Sequence, residues 1–545
     1  MKSFEIEGKI VDIHNERIFP GKVFVTNGII EKIEEIEDSI SLHYIMPGFV
    51  DAHVHIESSM IVPSEFARLA VVHGTVATVS DPHEIANVLG IEGIHFMIDN
   101  GSKVPFKFNF GASSCVPATT FETAGATISA NDIEELMADD RIKYMSEMMN
   151  FPGVIYDFPD VMEKIKIAHS SGKPIDGHAP GLRGDGLQKY ASAGITTDHE
   201  SFTYDEAKEK IGYGMKTIIR EGTAAKNFEA LHPLISEHND MVMFCSDDKH
   251  PDDLVLNHIN KIASRAIAKG HDLFDVLRAA CVNPVTHYNL DVGLLREGDP
   301  ADFILVNNLT EFDVSRTYID GGLISENGKS LIERVEFANL NNFNCSPKSP
   351  SDFEIESNGK SNINVIEALD GELITKKIIL PAKIENNLLV SDVENDVLKL
   401  TVVNRYEDVK PAVAFIRNFG LKRGAIASSV GHDSHNITAV GVDDESLAIA
   451  VNAVIKLKGG MVLYDGNETY EIPLPVAGLM SDGDGYIVAV QYATISRKAR
   501  ELGSPLHSPF MTLSFMALLV IPYIKLSDKG LFDGEKFEFM DLQVL

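Results

Sequence analysis

Sulfur, positive charge and long apolar runs are all scarce in this chain. Its 545 residues include four cysteines, Cys115, Cys245, Cys281 and Cys345, with no CxxC pair among them. That excludes a disulfide framework and a thiolate zinc cluster, and it fits a reducing, cytoplasmic compartment. Lys and Arg number 48 against 80 Asp and Glu, a net charge of −32. A surface this negative repels phosphate backbones and anionic lipid heads, so neither nucleic acid nor a membrane surface is an expected partner. Most of the acidic excess reads as solvated surface. The longest apolar stretch, 510–524, contains Pro522 and falls short of the ~18 residues of a membrane span, so it reads as buried core. The opening MKSFEIEGKIVDI places acids where a signal peptide needs an apolar core.

What is present is the composition of a globular protein, 44% hydrophobic and 23% charged. The length suggests two or three domains. Residues 1–46 alternate apolar and polar positions around an Asn27-Gly28 turn, as antiparallel strands do, and the same texture returns at 290–335. One small β-sandwich domain built from both flanks is expected. Between them, residues 47–289 alternate eight short apolar runs with amphipathic segments, the rhythm of a (β/α)₈ TIM-like barrel of α/β class. A doubly wound open sheet competes, because three of the runs are very short. The polar stretch 340–362 reads as a linker, and 363–545 as an additional α+β domain.

Barrel chemistry sits at the C-terminal ends of strands. The first run ends in Asp51-Ala-His53-Val-His55, whose i, i+2 imidazoles share one strand face, as ligands of one metal must. Later runs end in Asp81-Pro-His83-Glu84, Glu147, Gly177-His178, Asp198-His199-Glu200 and Ser246-Asp247-Asp248. Any one of these is explained by a helix cap or a buried hydrogen bond; Asp247, for example, suits a cap. Together at one barrel mouth they call for a compensating cation. The donors are imidazole and carboxylate without thiolate, which suits Mn²⁺, Fe²⁺ or Zn²⁺. Their number suggests a binuclear centre, with His53, His55 and Asp247 on one ion and His178 and His199 on the other. Glu147 is the candidate bridge; Lys143, four residues earlier and carboxylated, is the alternative.

In chain order PGFVDAHVHIESSM, DPHEIANVLG, GHAPG, TDHE and SDDKHP, with GHDSHN at 431–436, resemble the metal-dependent amidohydrolase superfamily and, within it, the adenine deaminase family. The resemblance spans nearly the whole chain. The HxH, His, His, Asp skeleton belongs to the superfamily; DPHEIANV and GHDSHN point to the deaminases. A hydantoinase or dihydroorotase would usually carry a lysine where Glu147 stands.

The resemblance implies hydrolytic deamination of a small neutral substrate, adenine, by water activated on two divalent ions. In that reading Asp247 takes the proton from water and hands it to the leaving amine. Glu84 protonates the ring nitrogen N1, with Glu200 as the second candidate, and each is alternatively a partner orienting a histidine. His83 contacts the ring or is an ordinary loop histidine. Asp248 and Lys249 form a supporting or solvated pair, and Arg183 and Asp185 anchor the loop after His178. His432, Asp433, His435 and Asn436 lie near the mouth, possessed of a metal of their own, or form a plain turn. A homodimer is expected. A cyclic-amide hydrolase is the competing activity, and a catalytically dead scaffold would have lost ligand positions that are all filled here. The zinc deaminases of nucleic-acid bases need PCxxC, which this chain lacks.

Overall fold

The computed structural model describes residues 3–39 and 41–545. Eight parallel strands form the central barrel: β1 Phe49–Val54, β2 Thr75–Ser80, β3 Lys107–Ala112, β4 Ile142–Met148, β5 Ile175–Gly177, β6 Thr197–Asp198, β7 Lys216–Arg220 and β8 Val242–Cys245. Most are apolar on both faces, and β2, TVATVS, is buried at every position, as strands lined by a filled interior and an outer helical layer must be. The sheet closes. Asp247 N donates to His53 O at 3.0 Å and His55 N to Asp247 O at 3.3 Å, joining the end of β8 to β1. Thr196 N donates to Ile175 O at 2.8 Å, joining β5 to the start of β6. An open doubly wound sheet is thereby excluded. The two shortest of the three very short runs are strands of three and two residues.

The outer helices follow from amphipathic spacing. In Pro159–Ser171 the buried residues Val161, Lys164, Ile165 and Ala168 make one stripe, Pro159 opens the first turn, and Gly172 at φ +71° ends it.

The two flanks share one sheet. Tyr44–Pro47 pairs with Ser3–Asp12 on one side and with Phe303–Val306 on the other, so eight strands from both ends of the barrel form a single ladder. The ladder folds back on itself through Ala301 N to Gly28 O at 2.7 Å, enclosing Ile10, Val23, Phe303 and Tyr318.

The stretch 340–362 has little regular structure but is anchored: Asn344 N donates to Arg405 O at 2.7 Å, and Phe353 is fully buried. Beyond it lies a nine-stranded sheet. In its strand Ala425–Ser428, Ala425 and Ala427 face helix Asp444–Leu457, whereas Ile426 faces the core continuous with the barrel. Helices Gly485–Glu501 and Pro509–Ser514 fill that second face. The seam with the barrel is polar as well as apolar. Gly485 N donates to Glu65 at 2.9 Å, Arg68 pairs with Asp484 at 2.8 Å, and Ser481 N donates to Met60 O at 2.8 Å. The four cysteines are all free thiols. Among the described residues no helix is long and apolar enough to cross a membrane.

Candidate metal centre

The ends of β1, β4, β5, β6 and β8 bring His53, His55, Glu147, His178, His199 and Asp247 into one buried cluster. The i, i+2 placement on β1 works as strand geometry requires, with His53 Nε2 and His55 Nε2 3.1 Å apart. Asp247 Oδ1 lies 3.5 Å from the first and 3.2 Å from the second. Glu147 sits between the two groups of histidines. Its Oε2 is 2.8 Å from His178 Nδ1 and 3.1 Å from His199 Nε2, and its Oε1 is 3.6 Å from His55 Nε2. Donor atoms each ~2.1 Å from a shared cation, at tetrahedral or octahedral angles, stand about 3.0 to 3.4 Å apart, close to the spacing of this cluster. His55 Nδ1 is 3.1 Å from the Asp81 carbonyl, a contact that fixes the ring and leaves Nε2 bare toward the cluster. The donor set therefore fits two hard or borderline divalent cations, with Glu147 between them.

Lys143 does not compete for the bridging position. It stands at the N-terminal end of β4, and its amine donates to the Asp140 carbonyl at 2.9 Å.

Burial would push these carboxyls up, but their partners reverse the sign. The His178 and His199 imidazoles hold Glu147 well below the ordinary range, and Arg220 with His53 and His55 does the same for Asp247. Burial lowers His178 too, yet the facing Glu147 raises it to about 9.

Arg220, at the end of β7, escaped the sequence reading. It donates to Asp247 Oδ2 at 2.7 Å and, through both terminal nitrogens, to the Glu200 carboxylate. Asp247 thus divides its oxygens, Oδ1 to the histidines and Oδ2 to Arg220. Glu200 is spent on the same guanidinium. The signal was available: a cation ending the run MKTIIR occupies a strand end like the others.

His83 and Glu84 open the short helix His83–Leu89 after β2. His83 Nδ1 is 3.2 Å from Asp81 and 3.5 Å from Glu147, while its Nε2 is 3.5 Å from Glu84 and 3.6 Å from Asp433. Glu84 has one oxygen on His432 and the other on His435. The 431–436 loop therefore reaches the barrel mouth from the C-terminal domain. Burial works against a charge on His432, but Glu84 raises it to about 9. Glu57, buried just after β1, accepts from Ile85 N at 3.1 Å and secures this helix.

Asp248 accepts from Ser58 Oγ at 2.5 Å, whereas Lys249 turns away to Asn257 at 3.0 Å, so the two are not a pair. Arg183 binds Glu209 at 2.5 Å on the exposed loop, outside the cluster, and Asp185 lies in the first turn of the following helix.

The cavity over the cluster has two unlike walls. The barrel contributes His55, His83, Glu84, Glu147, His178, His199, Glu200, Arg220, Asp247 and Met149. The C-terminal domain contributes Leu373, Phe515, Leu518 and Val520, together with His432 and Asp433. Three residues of the stretch expected to be plain core, Phe515, Leu518 and Val520, thus form an apolar ceiling, with Phe515 stacked on His432 at 5.0 Å between ring centres. This arrangement suits a flat, neutral ring with polar edges, one edge presented to the metal centre.

Comparison with known proteins identifies the family. The model of the amidohydrolase family matches residues 44–324, and that of the adenine deaminase C-terminal domain matches residues 372–538. The chain is 59% identical to an adenine deaminase of Sulfurovum sp. (strain NBC37-1) over 538 residues, 98% of this chain and 99% of that protein. It is 54% identical to one of Salinibacter ruber over 541 residues, 99% of each. Among solved structures, β-aspartyl dipeptidase of Fervidobacterium islandicum covers 62% of this chain and 100% of its own at 15% identity and a TM-score of 0.47.

Proposed function

The chain belongs to the adenine deaminase family of amidohydrolases, and from that premise we propose how its own residues convert adenine and water to hypoxanthine and ammonia. The observation that carries the reading is Glu147, a carboxylate set between two groups of metal donors where the cyclic-amide hydrolases would place a lysine. His53, His55 and Asp247 would hold one divalent cation and His178 and His199 a second, with Glu147 available to both. Such cations supply Lewis acidity and a water acidic enough to ionise near neutral pH.

Asp247 is the proton carrier. Its Oδ1 faces the histidine pair, and Arg220 on Oδ2 keeps the carboxylate ionised until it accepts a proton from the attacking water; the exocyclic amine receives that proton as it leaves. The ring nitrogen next to the attacked carbon needs a second proton. Glu84 supports that role better than Glu200: its partner His432, raised to about 9 by the facing Glu84, carries a proton that it can pass on, whereas the guanidinium of Arg220 beside Glu200 does not give one up. His83, running along one side of the cavity, orients the ring.

Mn²⁺ or Fe²⁺ is the metal we favour, on the all-imidazole-and-carboxylate donor set; Zn²⁺ is the alternative. The net charge of −32 supports a neutral free base over nucleic acid, and the free cysteines support a reducing, cytoplasmic setting. A homodimer is supported by exposed Ile487 and Val490 on helix Gly485–Glu501 beside exposed Leu256 on the helix packed against it. Protein loaded with Mn²⁺ or Fe²⁺ should release ammonia from adenine, with hypoxanthine as the product by chromatography. No ammonia from adenine together with turnover of dihydrouracil would overturn the assignment.

A further inference from the structure

One polar group on the cavity wall has no task in this chemistry. Asp433 is 3% exposed and lines the cavity, and its Oδ2 meets no protein donor. Its Oδ1 is 3.6 Å from His83 Nε2, too long for a hydrogen bond. An ionised carboxylate is an acceptor only, and one buried without a donor costs free energy.

The loop that carries it is fixed, so the side chain cannot relax toward water. His432 N donates to Ser514 O at 3.1 Å, Tyr406 OH to Ser434 O at 2.6 Å, and Asn436 Nδ2 to Thr123 O on the barrel at 2.9 Å. The partner that satisfies Asp433 comes from outside the protein: a water, a cation shared with His83 and Glu84, or a substrate N–H.

Adenine offers two kinds of donor, the exocyclic amine and one imidazole N–H; its other nitrogens accept. The amine is on the carbon under attack and so belongs at the metal end. From Glu147 Oε1 to Asp433 Oδ1 the wall consists of a 3.5 Å contact, the width of the His83 ring, and a 3.6 Å contact. A bicyclic purine laid along that wall with its amine toward Glu147 puts its five-membered ring at Asp433. We propose that Asp433 accepts the imidazole N–H of the purine and so restricts the site to free bases. A substituent on that nitrogen removes the donor, leaves Asp433 unpaired, and meets the ceiling of Phe515 and Leu518. A site built around a substrate N–H rejects the analogue lacking it by roughly 10⁴-fold.

This inference rests on the adenine reading, and the test separates the two. Wild type, Asp433→Ala and Asp433→Asn are loaded with Mn²⁺ and compared with adenine as substrate and 9-methyladenine as competitive inhibitor. Metal content and thermal midpoint are measured on each. Asp433→Ala should raise KM for adenine by about 10²-fold, the scale of one charge-assisted hydrogen bond. Asp433→Asn, which keeps an acceptor, should raise it less. The inhibition constant for 9-methyladenine should not rise in either variant, because the carboxylate that this analogue leaves unpaired is gone. Equal weakening of adenine and 9-methyladenine would mean that Asp433 acts through His83, and an unchanged KM would mean that it reads nothing; either result overturns the proposal. Should Asp433→Ala lose its metals or its fold, Asp433→Asn alone decides, by weakening adenine and sparing 9-methyladenine or not. Wild type inactive on adenine would instead defeat the assigned function, and this inference with it.

Discussion

Replacing Glu147 by glutamine isolates the charge at the middle of the cluster while keeping its shape. Oxygen Oε2 serves the His178 and His199 pair at 2.8 and 3.1 Å, and Oε1 faces His55 at 3.6 Å. Unit charges ~4 Å apart attract by about 4 kcal/mol at the effective dielectric of a protein site. A neutral amide forfeits that attraction toward each cation and recovers part of it through its carbonyl dipole. A net loss of about 4 kcal/mol is about 10³-fold in the affinity of the weaker-held ion. In the proposed assignment that ion is the one on His178 and His199, which would have two ligands besides Glu147, against His53, His55 and Asp247 for the other. Elemental analysis of Glu147→Gln after gel filtration should therefore find one equivalent of metal in place of two, and ammonia release from adenine should fall by about 10³-fold or more. Lys143→Met is the companion variant. Its amine is turned to the Asp140 carbonyl, so it should retain both metals and full activity. Two equivalents of metal in Glu147→Gln with activity within threefold of wild type, or metal loss in Lys143→Met instead, would refute the bridging role.

Two further outcomes follow from buried charges near the site. Arg220→Met strands the Glu200 and Asp247 carboxylates without their counter-ion, a cost of about 3–5 kcal/mol, so the thermal midpoint of metal-free protein should fall by several degrees; an unchanged midpoint would show that the guanidinium neutralises neither. Lys525 is buried beneath the ceiling, donates to the carbonyls of Leu373 at 2.6 Å and Phe515 at 2.9 Å, and burial brings its pKa down from 10.5 to about 7. The unfolded chain binds that proton more tightly, so this group makes stability rise from pH 7 to 10.5 and contributes no slope below pH 7. Denaturant titrations of wild type and Lys525→Met across that window should differ by this rise; parallel curves would sink the assignment.

The barrel was legible because it obeys rules that act over a few residues. A strand repeats every two positions, so Asp51-Ala-His53-Val-His55 declares which side chains share a face before any partner strand is known. The strand-end rule then collects His178, His199 and Asp247 without reference to distance in the chain. Arg220 obeys the same rule, but a strand-end guanidinium takes the place of a cation and does not bind one, so the pattern of metal donors does not include it. Lys143 illustrates the opposite limit. Spacing placed it on the face of Glu147, but position along the strand decides which end of the barrel a side chain serves, and Lys143 stands at the closed end.

What the sequence could not show is the cover. The contacts that place the C-terminal domain over the mouth join residues some 300 to 400 positions apart: Asn436 to Thr123, Thr123 N to Asp528, Gly485 N to Glu65. No local period encodes such pairings. The apolar stretch 510–524 reads as core because hydrophobicity measures removal from water and not what does the removing. Phe515 and Leu518 are indeed buried, at 2% and 7% exposure, but one of the surfaces burying them is the cavity itself. An open barrel mouth ringed by His, Asp and Glu would hold metal ions in full contact with water, where a neutral purine gains little from them. Covering that mouth with Leu373, Phe515 and Leu518 lowers the local dielectric, strengthens each charge interaction at the cluster, and gives the ring an apolar face to lie against. The same cover delivers Asp433 and His432, the polar groups that an aromatic base with donors and acceptors around its rim would otherwise lack on that side. The cluster of metal donors and the apolar ceiling thus come from different domains, and the cavity between them needs both.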